Sequence, residues 1–388
     1  MFQKLKKVLV IYVGGTIGMQ KNDDGVYSPV ANTFLHKVKY HSEMHDADLA
    51  KQYFPHLKEN ELVLPVDSKT MILTIYEIVE YVPLLDSSNM GCKEWIRIAK
   101  DIERYYESYD GFIILHGTDT LAFTASALSF MLEGLRKPVI VTGSQIPIFE
   151  TRSDAKDNFL SSLILASYGR VPEVCVFFAS KLYRGNRVTK MSSDELEAFG
   201  SPNYNTLADV GIDVKFNDHY IRQVSPTRYF APIIDLNPNV GILAFFPTMT
   251  CNMLEAFLQP PVQGLVIQTY GAGNLPSSRK DLMDVLRNAV KRRILIVNVT
   301  QCSRGTVQAD YETGKVLQDM GIILGADMTA EAAYTKLIFV LGLPELSFET
   351  RVKVIWQLDS LHRHDFITLH NLVEKSDCLF TSIFLNCF

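Results

Sequence analysis

At 388 residues, with 47% hydrophobic and 21% charged residues, the chain has the balance of a soluble globular protein and is too long for one ordinary core, so two domains are expected. A net charge of −5 offers no electrostatic footprint for nucleic acid or an anionic membrane. No stretch approaches the roughly 18 apolar residues that a membrane helix needs, so an intracellular, cytoplasmic protein is expected.

The first apolar run, residues 8–13, follows Lys4, Lys6 and Lys7 as a signal peptide's core would. It stops after six residues at Gly14 and Gly15, however, and reads as a first strand. It leads directly into Gly14-Gly15-Thr16-Ile17-Gly18. Asp86-Ser87-Ser88 precedes a segment in which Trp95, Ile98, Ala99, Ile102 and Tyr105/Tyr106 recur at three- and four-residue spacing, which predicts an amphipathic helix. A strand at 112–115 ends in His116-Gly117-Thr118-Asp119-Thr120, and a helix follows at 121–135. A strand at 138–142 ends in Thr142-Gly143-Ser144-Gln145, then come a helix at 153–168 and a strand at 174–179. From Gly200 to Pro238 the rhythm breaks, with Pro202, Pro226, Pro232 and Pro238 among Asn, Asp and Tyr. Strands at 241–246, 265–270 and 294–299 follow, with a helix at 279–293; after Leu343 comes one more amphipathic segment, then an apolar tail.

The strand runs are mostly continuous rather than alternating, as strands covered on both faces are. Alternation of strand and helix predicts an α/β protein with a larger, doubly wound N-terminal sheet of flavodoxin or Rossmann type and a smaller C-terminal α/β domain. The expected divisions are 1–213, a linker at 214–238, and 239–388. The six cysteines (Cys92, Cys175, Cys251, Cys302, Cys378, Cys387) show no CxxC spacing and support neither a zinc site nor a disulfide framework, leaving free, mostly buried thiols.

Ligands of doubly wound sheets bind beyond the carboxyl ends of the strands, which directs attention to the three Gly-containing strand ends. The spacing of Gly14, Gly15 and Gly18 fails GxGxxG, Gly271-Ala272-Gly273 lacks the third glycine, and GxxxxGK[ST] is absent, so tight turns take precedence over a phosphate loop. A hydrolytic reading needs a base for the threonine hydroxyl. GxSxG is missing, and His116 reads as a hydrogen-bonded strand end. A lysine kept neutral by its surroundings and held by Asp119 would serve, but the residues alone do not say which lysine. Structural alternatives stand beside each of these residues. Asp86-Ser87-Ser88 fits a turn with an N-cap, Asp119 a helix cap, Tyr27 loop packing and Lys190 a solvated charge.

Taken together, the motifs resemble the bacterial-type asparaginase/glutaminase family, in particular its cytoplasmic type I L-asparaginase branch. The resemblance rests on Val13-Gly14-Gly15-Thr16-Ile17-Gly18, "DGFIILHGTDTLAFTASALSFML", "KPVIVTGSQIP", "LYRGNRVTK", "QTYGAGN", "NVTQCSRG" and "GADMTAEAAYTKL", in that order and across about residues 7 to 345. It implies hydrolysis of L-asparagine to L-aspartate and ammonia through a β-aspartyl enzyme on Thr16, without metal or cofactor, by a homodimer or homotetramer. Thr118, Asp119 and Lys190 correspond to the set in which the lysine and aspartate activate the Thr118 hydroxyl, and Tyr27 to the tyrosine paired with the nucleophile. Asp86, Ser87 and Ser88 correspond to the segment that holds the substrate's α-carboxylate, with Asp119 also meeting its α-amino group. Val13 replaces the threonine that commonly opens the first motif. Some type I enzymes have a second, allosteric asparagine site; Thr189 and Cys302 match its residues, but Gln268 stands where an arginine would be.

Two other readings remain beside this one. The amidase subunit of a tRNA-dependent amidotransferase shares the fold but usually carries a barrel domain before the first motif, and an amino-acid sensor would keep the pocket without turnover. Family members in animals that continue into ankyrin repeats are linked to lysophospholipid hydrolysis; a lipid role is given little weight, because the chain ends before such a repeat.

Overall fold

The computed structural model describes residues 4–66, 69–224, 229–309 and 312–357. The chain forms two compact units, Met1–Ile234 and Asp235–Phe388.

The first unit is built on a nine-stranded sheet. Its centre is five parallel strands, in the spatial order Ile72–Leu85, Lys4–Gly14, Gly111–Leu115, Val139–Thr142, Val174–Phe178. Antiparallel strands flank them, Glu61–Leu64 at one edge and Lys181–Arg184, Ala208–Val210 and Val214–Phe216 at the other.

Unbroken apolar runs form four of these five central strands, all but Ile72–Leu85, because both faces are covered. Val8, Val10 and Tyr12 share a core with Ile113, Leu115, Ile140 and Phe177, and with Phe159 and Leu163 of the helix Ala155–Tyr168. The alternate residues Leu9, Ile11, Phe112 and Ile114 point to the opposite face and are just as buried. Each such side chain contributes about 1.5–3 kcal/mol by leaving water. The helix Cys92–Tyr105 buries Trp95, Ile98, Ala99 and Ile102, the stripe its spacing predicts.

The five central strands are ordered 2-1-3-4-5 by first appearance in the chain, so the winding reverses between Lys4–Gly14 and Gly111–Leu115. Crevices of doubly wound sheets form at such a reversal, beyond the carboxyl ends of the two strands. Here those ends carry Gly14-Gly15-Thr16 and His116-Gly117-Thr118.

Sequence patterning missed the 14-residue strand Ile72–Leu85. Thr74, Glu77, Glu80 and Pro83 interrupt its apolar pattern, yet Thr74 and Glu77 are buried. Glu77 is accommodated because Lys58 Nζ and Asn60 Nδ2 donate to its carboxylate at 3.0 and 2.9 Å, and the Tyr109 hydroxyl donates as well. These hydrogen bonds hold its carboxyl below the usual range although burial pushes the other way. The helix expected at 121–135 ends at Met131, where Leu132–Glu133 leaves it to pair with Ala231–Pro232.

The second unit holds four parallel strands in sequential order, Val240–Ala244, Gly264–Thr269, Leu295–Thr300 and Ile323–Leu324. The helix Lys280–Lys291 buries Leu282, Met283, Leu286 and Ala289, and Ala330–Gly342 is buried along most of its length. Cys92, Cys175, Cys251 and Cys302 are free thiols, of which only Cys175 is buried, so the expectation of mostly buried thiols does not hold for these four. Cys378, Cys387 and the apolar tail lie outside the described residues. Among the described residues no helix is long and apolar enough to cross a membrane.

Ile113 is fully buried at the middle of the Gly111–Leu115 strand. Ile113→Ala is expected to lower stability by about 2–5 kcal/mol, measured as a shift in the urea midpoint of the first unit. A loss below about 1 kcal/mol would mean that the strand centre tolerates a cavity.

Candidate active site

The site is built on two loops that meet as backbone. Gly15, at φ 88° and ψ 176°, lies so close to the next loop that a Cβ on it would sit 2.3 Å from the Cα and N of Gly117. A Cβ on Gly117 would lie 2.6 Å from Ser87 Oγ. Only glycine fits at either position, and the contact brings Thr16, Ser87 and Thr118 around one point.

Thr16 opens the short 3-10 turn Thr16–Gly18, is half-buried, and its Oγ1 has no hydrogen-bond partner among the described residues. Ile148 N donates to Ile17 O at 2.9 Å, tying this turn to the loop that follows Val139–Thr142.

Thr118 is buried, with 7% of its surface exposed. Lys190 Nζ donates to Thr118 Oγ1 at 2.9 Å and to Asp119 Oδ1 at 2.8 Å. Lys190 reaches them from the hairpin that pairs Thr189–Lys190 with Phe199–Gly200, 71 residues beyond Asp119 in sequence. Asp119 spends its carboxylate on this ion pair and does not cap the helix Leu121–Met131, whose N-cap is Thr120. Lys190 is likewise more than a solvated surface charge.

Ser87 is buried, and its backbone carbonyl accepts from Thr120 Oγ1 at 2.7 Å, which couples the segment to the Thr118 loop. Asp86 caps the turn Ser87–Asn89, its Oδ1 accepting from Ser88 N at 3.1 Å, and both Asp86 and Ser88 are exposed. Tyr27 stands on the hairpin pairing Met19–Lys21 with Tyr27–Pro29. Its hydroxyl donates to Glu150 Oε1 at 2.9 Å, and Lys21 Nζ lies 5.3 Å from its ring centre; the structure does not pair Tyr27 with Thr16. Thr189 lies in the first unit, opposite Gly200. In the second unit the Gln268 carbonyl accepts from Gln301 Nε2 at 2.9 Å, and the exposed Cys302 donates its N–H to Thr300 Oγ1.

Sequence reading passed over Gln145. The Thr118 hydroxyl donates to Gln145 Oε1 at 3.3 Å, and Asp154 accepts from the backbone N–H groups of Gln145 and Ile146 at 3.0 and 2.9 Å. The available signal was its place at the third Gly-containing strand end.

His116 is fully buried, and burial lowers its pKa to about 4, so the ring is neutral at pH 7. No group of three or more His, Cys, Asp or Glu side chains fit to hold a metal occurs among the described residues.

Residues 7–222 match the sequence profile described as "Asparaginase, N-terminal", and residues 239–352 that of the "Glutaminase/Asparaginase C-terminal domain". The chain belongs to the asparaginase family. It is 49% identical over 335 residues to a protein of Dirofilaria immitis named L-asparaginase, covering 86% of this chain and 57% of that one. It is 43% identical over 350 residues to a mouse protein named 60 kDa lysophospholipase, covering 90% and 61%. The chain thus spans about three fifths of the length of these curated relatives. A crystal structure of L-asparaginase I from Vibrio cholerae superposes with a TM-score of 0.77 at 36% identity, covering 91% of this chain and 97% of that one. For this asparaginase-family chain the doubly wound sheet and the smaller C-terminal α/β unit agree with the fold read from the sequence.

Because an unfolded His116 takes up its proton near the ordinary 6.5 and the folded one only near 4, stability is full above about pH 6.5. It falls on acidification between those values, by about 3 kcal/mol in all. His45, whose pKa burial also lowers, adds in the same direction. Comparing the unfolding free energies of the wild type and His116→Asn from pH 7 to 4.5 isolates the His116 part; parallel curves would show that the ring keeps its ordinary pKa in the fold.

Proposed function

We propose that the protein hydrolyses the side-chain amide of L-asparagine, giving L-aspartate and ammonia through a β-aspartyl ester on Thr16. The observation that carries the reading is the Thr118-Asp119-Lys190 cluster beside the Thr16 turn at the reversal of the sheet.

Thr16 Oγ1 attacks the amide carbon, its proton passes to the departing nitrogen, and ammonia leaves as the ester forms. Water then attacks the ester, releasing aspartate and restoring the threonine. The deprotonating group is Lys190 acting through Thr118. As drawn in the structure, Lys190 donates to both Thr118 and Asp119. A substrate ammonium placed against Asp119 competes with Lys190 for its carboxylate, and Nζ, once it has given up a proton to solvent, takes the Thr118 proton as a neutral amine. Ser87 and the amides beside it take the α-carboxylate, with Asp86 and Ser88 shaping that turn. The glycine-freed backbone of the two loops offers N–H groups to the developing oxyanion.

Tyr27 completes the nucleophile's surroundings when its hairpin leaves Glu150. A homodimer or homotetramer in the cytoplasm belongs to the same proposal and rests on the family likeness, while the division at 1–213, 214–238 and 239–388 rests on the break in strand–helix rhythm between Gly200 and Pro238. Gln268 brings no positive charge where the family's second site has an arginine, so the rate should rise hyperbolically with asparagine; a sigmoidal curve would restore the second site.

Thr16→Ala is expected to reduce ammonia release at least about 1000-fold while L-aspartate still raises the melting temperature. Turnover near the wild-type rate in this variant would remove the covalent step. Lys190→Met should cost about 100- to 10000-fold in kcat. The mouse relative's name supports a second reading, ester hydrolysis of lysophospholipids. Fatty-acid release from lysophosphatidylcholine, with none of ammonia from asparagine, would favour it.

A further inference from the structure

A buried line of hydrogen bonds reaches the Thr118 loop from behind. Trp95 Nε1 donates to Thr124 Oγ1 at 3.0 Å, Thr124 Oγ1 lies 2.9 Å from His116 Nε2, and His116 Nδ1 lies 2.7 Å from Gly117 O. Thr124 and His116 are 0% and 1% exposed, and Trp95 is 4% exposed. The donor inventory sets the direction at both ends. An indole N–H only donates, and a carbonyl oxygen only accepts. The proton facing Gly117 O is therefore on Nδ1; the buried ring is neutral, so Nε2 is an acceptor and the Thr124 hydroxyl donates to it.

From this line we infer that His116 is a positioning residue for Thr118, holding the Gly117 carbonyl through its Nδ1–H. The Gly117–Thr118 peptide is planar, so fixing its oxygen fixes the plane from which Thr118 departs. Gly117 has no side chain to hold it and touches Gly15 on one side and Ser87 on another. Without the imidazole donor the peptide is free to rotate, which moves Thr118 Oγ1 out of line with Lys190 Nζ. The ring itself faces away from solvent and neither takes nor gives a proton during turnover. Trp95 and Thr124 act one step further back, by settling which nitrogen carries the hydrogen.

The inference rests on the reading of Thr118 as a working hydroxyl, and two substitutions separate positioning from packing. In His116→Asn the side-chain amide nitrogen falls where Nδ1 was and keeps the donor to Gly117 O. In His116→Gln the amide reaches towards Thr124 and leaves the carbonyl unpaired. His116→Asn is expected to keep kcat for asparagine within about threefold of wild type, and His116→Gln to lower it about 10- to 100-fold with KM changed less than about threefold. Melting temperatures of the two should agree within a few degrees. Equal kcat losses that follow the melting temperatures, or wild-type kcat in His116→Gln, would overturn it.

A second measurement does not depend on turnover. In protein labelled with 15N-histidine, the resonances lost in His116→Gln should show a protonated Nδ1 and a bare Nε2 down to about pH 5. A ring protonated on Nε2 alone would overturn the inference whatever the kinetics. If the wild type releases no ammonia from asparagine while the Nδ1 tautomer is found, the hydrolytic reading falls and the hold on Gly117 stands.

Discussion

Gly15 and Gly117 touch as bare backbone, and the meeting of Thr16, Ser87 and Thr118 in the candidate site follows from that contact. A Cβ at either position would overlap a neighbour at 2.3 or 2.6 Å. With none present, the loop after the first strand and the loop after Gly111–Leu115 close to within backbone distance at the point where the sheet reverses its winding. Thr16 lies one residue beyond one glycine and Thr118 one residue beyond the other, so two threonines 102 positions apart in sequence share a crevice.

Around this contact the surroundings are made rigid from several directions. Asp154 holds the amides of Gln145 and Ile146, Thr120 holds the Ser87 carbonyl, and Ile17 O accepts from Ile148. Rigid elements bring catalytic geometry because misplacement of reacting atoms by about 1 Å is already costly. The Tyr27 hairpin is the contrasting part: its tyrosine is exposed and engages Glu150 and Lys21. A fixed cluster beside a surface hairpin suits a reaction in which the substrate must enter and water must later follow it.

Much of the parallel core was legible in advance. Runs such as Val8–Val13 and Phe112–Leu115 are apolar throughout because helices cover both faces, and that pattern survives in the sequence without knowledge of neighbours. Ile72–Leu85 was illegible for the converse reason. Glu77 sits in that strand because Lys58, Asn60 and Tyr109 meet its carboxylate, and partners that distant leave no local periodicity. The cysteines show the same limit, since composition does not say that Cys302 faces solvent.

By itself the sequence determined an α/β chain, the three Gly-containing strand ends, and, through the order of its motifs, the family. These are properties of runs and short spacings, which a chain carries whatever its partners. Only the tertiary structure decided that Lys190 reaches Thr118 and Asp119, that Asp119 pairs instead of capping a helix, and that His116 turns inward to hold Gly117. Each of the first two joins residues distant in the chain, and the last depends on a buried ring with Trp95 and Thr124 behind it. Side-chain roles of this kind come from which elements the sheet sets side by side, and that is information held in packing.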